Sequence, residues 1–540
     1  MRLLSGLNGP RGPRRPSGPL GLLALAVCAA LLVPVSAAGA GQRARAADPT
    51  AYDRIVPAPA HTAPGGPGYR LDARTVIRTT AGSAAARGVG ELLARALRPA
   101  TGLALRVSGT DAGGSAADGI RLRLDARAAD QGEEGYRLRA DGTGVVITAY
   151  RPAGLFRGAQ TLRQLVPVTG RPVVAGGTVA DAPRFPYRGA MIDIARHFFT
   201  VEQVKRYLDR LALYKVNVLH LHLTDDQGWR LAVDSWPRLA EHGGGTEVGG
   251  GPGGYWTKAQ YRDLVRYAGE RYVEVVPEID MPGHVNAALA SYAELNCDGV
   301  APARYTGTKV GFSSLCVAKE RTYEFVADVL REVAELTPGR YLHIGGDEAY
   351  ATPHADYATF MGRAQQAVVA QGKTVLAWHQ LAGAGPVSGT ALQYWGLDRT
   401  PAAEKAKVAG AVRAGAKVVL SPADRAYLDM KYDAATRPGL SWAGYVPVRR
   451  AYEWDPGAYL AGVEEAAVLG VEAALWTETV ATTADADLMA FPRALGIAEL
   501  GWSPASALSW DAYRLRLAAQ GPRLTALGVG YYRAPEVPWA

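Results

Sequence analysis

The sequence predicts a parallel (β/α)8 barrel of the TIM type, preceded by a small α+β domain. Three observations carry this. Eight short apolar runs follow one another after Pro186. Most intervals between them show the apolar spacing of an amphipathic helix, as in 201–214, 258–272 and 321–336. The first run leads into Arg196-His197-Phe198 and not into the glycine-rich turn that a doubly wound nucleotide-binding sheet needs. Eight buried strands joined by crossovers close on themselves.

Along the chain, residues 1–46 carry early arginines (Arg2, Arg11, Arg14, Arg15), an apolar run over 20–35 and small residues at 36–40. That is the layout of a secretory signal peptide. The run falls short of the about 20 residues a membrane span needs. A twin-arginine signal at Arg14-Arg15 is disfavoured by Pro16, and lipid attachment at Cys28 by Val27. Residues 47–68, rich in Pro, Ala and Gly, read as a linker. Residues 69–186 form the small domain, with strands expected at 120–124, 136–138 and 145–149 and a helix at 155–165. The barrel takes 187–540, its strands expected at 189–195, 216–223, 273–279, 341–344, 375–378, 391–395, 418–420 and 471–475. The stretch after the seventh run is irregular and suits a loop in place of a full helix.

The net charge of +8 is misleading. The leader holds six arginines and no acid, so without it 53 basic residues face 51 acidic ones, about +2. Nucleic acid and membrane surfaces are therefore not implied as partners. Removing the leader also removes Cys28, leaving Cys297 and Cys316. Two cysteines in an exported chain are expected to form one disulfide. Alone they cannot make a thiolate zinc site.

Chemistry on such a barrel gathers at the C-terminal ends of the strands. Reading only those ends gives Arg196; Asp225-Asp226; Glu278, Asp280 and His284; Asp347-Glu348; Trp378 and His379; Trp395; Tyr427 and Asp429; Trp476 and Glu478. Any one of these has an ordinary structural reading: Asp225-Asp226 as a helix cap, a lone Trp as core, His284 as a satisfied histidine. Together on one rim they suit a sugar, whose hydroxyls bind carboxylates and Arg and whose ring lies on indole faces. Other chemistries fail. Gly372-Lys373-Thr374 resembles the end of a P-loop, but Ala367 occupies the first glycine position. There is no H-E-x-x-H pair for zinc and no G-x-S-x-G elbow. No metal and no cofactor is implied.

The motif His343-Ile344-Gly345-Gly346-Asp347-Glu348 resembles the signature of the family 20 glycoside hydrolases, the β-N-acetylhexosaminidases. The first barrel run around 188–198, the second around 220–230, the third at 277–284 and the eighth at Trp476-Thr477-Glu478 are similar to the matching strands of that family, in its bacterial, actinobacterial form. The resemblance implies an exo-acting retaining enzyme that removes terminal N-acetylhexosamine from oligosaccharides. It implies that Glu348 is the general acid, that Asp347 orients the substrate's 2-acetamido group and that Tyr427 binds the acetamido oxygen. Trp378, Trp395 and Trp476 would wall the pocket, and Trp442 would line its entrance. Arg196, Glu478 and Asp429 would hold hydroxyls, and Asp225 and His284 would position Glu348. The competing readings are an inactive carbohydrate-binding relative and a chitinase-like endo-enzyme, which would need an open groove. A monomer is compatible with everything read here.

Overall fold

The computed structural model describes residues 51–109 and 119–539. The leader and the first residues of the linker lie outside them. Among the described residues, no helix is long and apolar enough to cross a membrane.

The small domain is a seven-stranded sheet. Its central strands are Tyr136–Asp141, Gly144–Ala149 and Ile120–Leu124, with Val76–Thr79 and Arg106–Ser108 beyond them. Tyr136, Leu138 and Ala140 are buried and alternate with exposed arginines, the period-2 pattern of a strand with one covered face. Helices Ala84–Thr101 and Pro152–Leu165 pack together, and the second is buried along nearly its whole length. The expected linker is corrected here. His61–Pro64 pairs antiparallel with Gly177–Asp181 as the edge strand, and Tyr52, Ile55 and Val56 are buried. The Ala58 amide donates to Glu499, so this stretch is tied to the barrel. A proline-bearing strand is tolerated at an edge, where its missing N–H costs no ladder bond.

The barrel closes as expected, with strands Tyr187–Asp193, Val218–His222, Glu274–Glu278, Tyr341–His343, Thr374–Trp378, Ala391–Tyr394, Lys417–Leu420 and Val468–Leu475 in parallel register. Helix Val201–Leu213 starts in a capping box between Thr200 and Gln203, and Lys258–Gly269 in one between Thr257 and Gln260. The stretch after the seventh strand holds the short α-helices Ala423–Ala426 and Val448–Tyr452 around a long loop, and a single 3-10 turn at Glu465–Ala467.

Two buried ion clusters join the domains. Glu134 pairs with Arg157 at 2.8 Å and with Arg188 at 2.5 Å, and accepts a hydrogen bond from Asn217. Asp181 takes Lys215 at 2.8 Å, the Tyr136 hydroxyl at 2.7 Å and the Trp502 indole N–H at 3.0 Å. Arg188 lies in the first barrel strand, and Lys215 and Asn217 lie in the turn that leads from helix Val201–Leu213 into the second.

Candidate active site

The fourth barrel strand ends at His343, and the chain then turns sharply. Gly345 and Gly346 have φ of +60° and +98°, and Glu348 itself sits at +44°. Adjacent strand residues point to opposite faces, so this left-handed turn lets Asp347 and Glu348 line one cavity. A side chain at Gly345 would collide with Asp280, and one at Gly346 with Met361 and the Tyr357 hydroxyl. The left-handed conformation of a non-glycine residue stores strain, and such strain gathers at functional positions. His284, the neighbour of Glu348, is also left-handed at +56°.

The cavity has a volume of about 500 Å³. Of the residues read from the strand ends or implied by the resemblance, it brings together Arg196, Asp347, Glu348, Trp395, Tyr427, Asp429, Trp442, Trp476 and Glu478. Tyr427 and Trp476 are buried with ring centroids 6.0 Å apart, and Trp442 stands half-exposed at 6.0 Å from both Tyr427 and Trp395. Trp378 lies deeper than expected. It is fully buried beneath the lining, 5.7 Å from Trp476, and its indole N–H donates to Glu278. His284 stands between Asp225 and the acid pair: its Nδ1 is 3.1 Å from Asp225, and its Nε2 is 3.6 Å from Glu348 and 3.9 Å from Asp347.

Asp193 sets the first and last strand ends. It accepts the backbone N–H groups of Ala195, Arg196 and Thr477. Arg196 pairs with Asp225 at 2.7 Å and lies over the Trp476 ring at 4.8 Å. Asp225 is buried, yet Arg196 and His284 hold its carboxyl far below the usual range. Burial opposes a charged His284, but Asp225 and Asp347 raise it well above an ordinary histidine, keeping a cation beside the acid pair. Asp347 is pushed up to about 6 by burial, against the pull of His284 and with the help of Glu348. Burial, and after it Glu478, raises Asp429 well above the carboxylate range. Asp347 Oδ1, Asp429 Oδ1, Trp476 Nε1 and Glu478 Oε2 are buried polar atoms without a hydrogen-bond partner among the described residues. Buried polar atoms are normally satisfied, so their gathering on one cavity marks a place for a ligand rich in hydroxyls.

The sequence reading named Glu278 at a strand end without its role, and it missed Thr308, Val310 and Arg399. Glu278 is the hub under the cavity floor, within 2.5 Å of His222, 3.1 Å of His220 and 3.0 Å of His343. Its charge is held despite burial because His343 and His222 hold its carboxyl well below the usual range. Thr308 and Val310, from the loop stapled by the Cys297–Cys316 disulfide, and Arg399 complete the cavity wall. Alternating histidines at 220 and 222 on one strand were the available signal for the hub. Nothing in the loop sequence points inward. Several His and acid trios of ligand type lie close enough to hold an ion; in those built on His220 and His222 the histidines pair with carboxylates of this network.

The chain matches the profile of "Glycosyl hydrolase family 20, catalytic domain" over residues 185–505 and that of "Glycosyl hydrolase family 20, domain 2" over 52–182. A β-N-acetylhexosaminidase of Cellulomonas fimi is 42% identical over 88% of this chain and 94% of its own. The structure of the family 20 β-N-acetylhexosaminidase of Streptomyces coelicolor A3(2) superposes with a TM-score of 0.88 at 62% identity, covering 92% of this chain and 100% of that one. A mutant Streptomyces plicatus β-hexosaminidase in complex with its product GlcNAc gives 0.88 at 61% identity, with 91% and 99% covered. Placed beside the acid pair, its aromatic wall and the matched length, these likenesses show that the chain is a glycoside hydrolase belonging to glycosyl hydrolase family 20.

Proposed function

We propose that the enzyme, a β-N-acetylhexosaminidase, releases single N-acetylhexosamine residues from non-reducing ends with retention of configuration, the substrate's own 2-acetamido group acting as nucleophile. The observation that carries this is the turn that brings Asp347 and Glu348 side by side into one Trp-lined cavity. An ordinary retaining glycosidase sets its acid and its nucleophile about 5–5.5 Å apart across the scissile bond, and substrate-assisted families depart from that rule.

In the first step the acetamido oxygen attacks the anomeric carbon. The glycosidic C–O bond breaks, and its electron pair takes the proton of Glu348. The product is a cyclic oxazolinium ion and a free leaving-group alcohol. The ionised Asp347 stabilises the positive charge that develops on the amide nitrogen. Tyr427 donates to the acetamido oxygen, and the indoles of Trp395 and Trp476 shape the pocket around the sugar. Water then attacks the anomeric carbon and gives its proton to Glu348, and the ring opens to the β-product.

The test is NMR of the first-formed sugar before mutarotation. The β-anomer is expected, with no turnover of the corresponding β-glucoside, which lacks the acetamido group. An initial α-anomer, or a glycosyl ester on any enzyme carboxylate, overturns the mechanism. An absence of turnover on a chromogenic N-acetylglucosaminide would favour a binding relative. We also propose that the enzyme acts outside the cell; the leader-like N-terminal sequence and the disulfide support this.

A further inference from the structure

Four helices meet at a groove on the outer side of the barrel, where the small domain packs against it. Arg95 comes from Ala84–Thr101, Gln160 and Arg163 from Pro152–Leu165, and Arg206 and Arg210 from Val201–Leu213, while Arg271 closely follows Lys258–Gly269. The groove has a volume of about 650 Å³ and shares no residue with the catalytic cavity.

Its walls carry five arginines and two acids, Asp209 and Glu270. Both acids are already engaged. Asp209 takes Arg271 Nε at 2.5 Å and the Tyr267 hydroxyl at 2.7 Å, and Glu270 pairs with Arg266 at 2.6 Å. Arg210 turns to Asp487. Arg95, Arg163 and Arg206 are left without a carboxylate partner among the described residues. Arg95 and Arg206 are exposed, but Arg163 is half-buried and donates to the amide oxygen of the buried Gln160 at 2.7 Å. Its neighbour Arg523 binds the carbonyls of Gln164 and Val166 and adds charge of the same sign. Burial, and after it Arg523, push Arg163 down to about 10.

The fully buried cations of the same junction are matched: Arg157 and Arg188 by Glu134, and Lys215 by Asp181. The groove therefore holds a local surplus of guanidinium groups, and an anion from outside would offset it. Planar guanidinium forks suit sulfate and phosphate oxygens, which they bind in pairs. The volume far exceeds one such ion, and Leu92, Phe156 and Leu527 add apolar surface to the walls. That combination suits a sugar ring bearing more than one oxyanion group.

We propose that this groove is a binding site for sulfate or phosphate groups borne on a sugar, held by Arg95, Arg163 and Arg206. Because the first two belong to the small domain and the third to the barrel, the ligand clamps the domains together and leaves the catalytic cavity open.

The experiment titrates the full chain calorimetrically with sucrose octasulfate and with sodium sulfate, at one ionic strength set by sodium chloride. The octasulfate should bind saturably at one site, at least about tenfold tighter than sulfate, and raise the thermal midpoint. Equal affinities would mean that the free ion is the ligand and would overturn the assignment to a sugar. Arg206→Gln and Arg95→Gln change exposed side chains and should each weaken octasulfate binding about tenfold, the worth of one hydrogen bond to a charged group. Arg163→Gln should weaken it at least as much. All three should leave kcat/KM on 4-nitrophenyl N-acetyl-β-glucosaminide unchanged. An absence of saturable binding overturns the proposal, as does binding that persists unaltered in Arg163→Gln/Arg206→Gln. A rise in midpoint that survives in that double variant would be a general effect of salt on the surface and would equally refute the site.

Discussion

Inside the barrel, two layers of side chains lie one above the other, and on five strands they stand two residues apart. The lower layer is Tyr187, Val218, Val276, Tyr341, Leu376, Ala391 and Val419, packed as one apolar cluster. The layer above it is His220, Glu278, His343, Trp378, Gln393 and Glu472, joined by hydrogen bonds and ion pairs. Both are fully packed, but only the upper one orders groups that reach the cavity. The lower layer supplies shape-filling burial. The upper one spends part of that gain on desolvated charges, which contribute little net stability but fix where the catalytic side chains stand. A single hydroxyl crosses between the two: Tyr187 donates to Glu472 at 2.5 Å.

Substitutions can break this contrast, and the largest effect on rate is expected at the rim. Glu348→Gln should lower turnover of poor leaving groups by about 10²–10⁴-fold and spare good ones, with the thermal midpoint unchanged because the side chain is partly open to the cavity. Equal losses across a series of aryl glycosides would remove it from the acid role. Asp347→Asn should cost about 10²–10³-fold. Because burial raises the Asp347 carboxyl to about 6, kcat/KM should fall as pH drops through that value and the stabilising charge is lost. The effect on stability has the opposite sign. Between the unfolded value of 3.8 and about 6 the folded chain keeps a proton that the unfolded chain has released, so this group destabilises the fold as pH rises through that window. A pH profile unchanged in Asp347→Asn would refute the assignment. In the lower layer, Leu376→Ala should leave kcat/KM untouched below its melting range and cost about 2–5 kcal/mol of stability; denaturant unfolding beside initial rates measures both. A rate loss there would mean the layers are not separable.

The lower layer was the legible one. All its residues but Tyr187 lie in the apolar runs, and all eight strands were found to within a few residues because a barrel strand buried on both faces reads as continuous hydrophobicity. The rim was legible for a different reason: once the strand ends are located, Arg196, Asp347, Tyr427 and Glu478 need only be read off. The upper layer was not. Glu278 stood in view at a strand end, but its meaning depends on His220, His222 and His343, which come from two other strands and meet it only on closure. The edge strand His61–Pro64 was missed because its prolines and glycines match a linker's composition and its partner lies far along the chain. Val310 sits on a turn whose direction is set by a left-handed glycine, which local periodicity does not encode.

The ion clusters at Glu134 and Asp181 bear on how the molecule renatures. Arg188 and Lys215 are completely buried barrel cations whose carboxylate partners belong to the small domain. Stripping a partner from a buried charge costs about 3–5 kcal/mol, so a chain begun at Phe185 would carry two such debts at the base of its first two strands. The barrel is therefore not an autonomous folding unit, and heat or urea should melt both domains in one cooperative step.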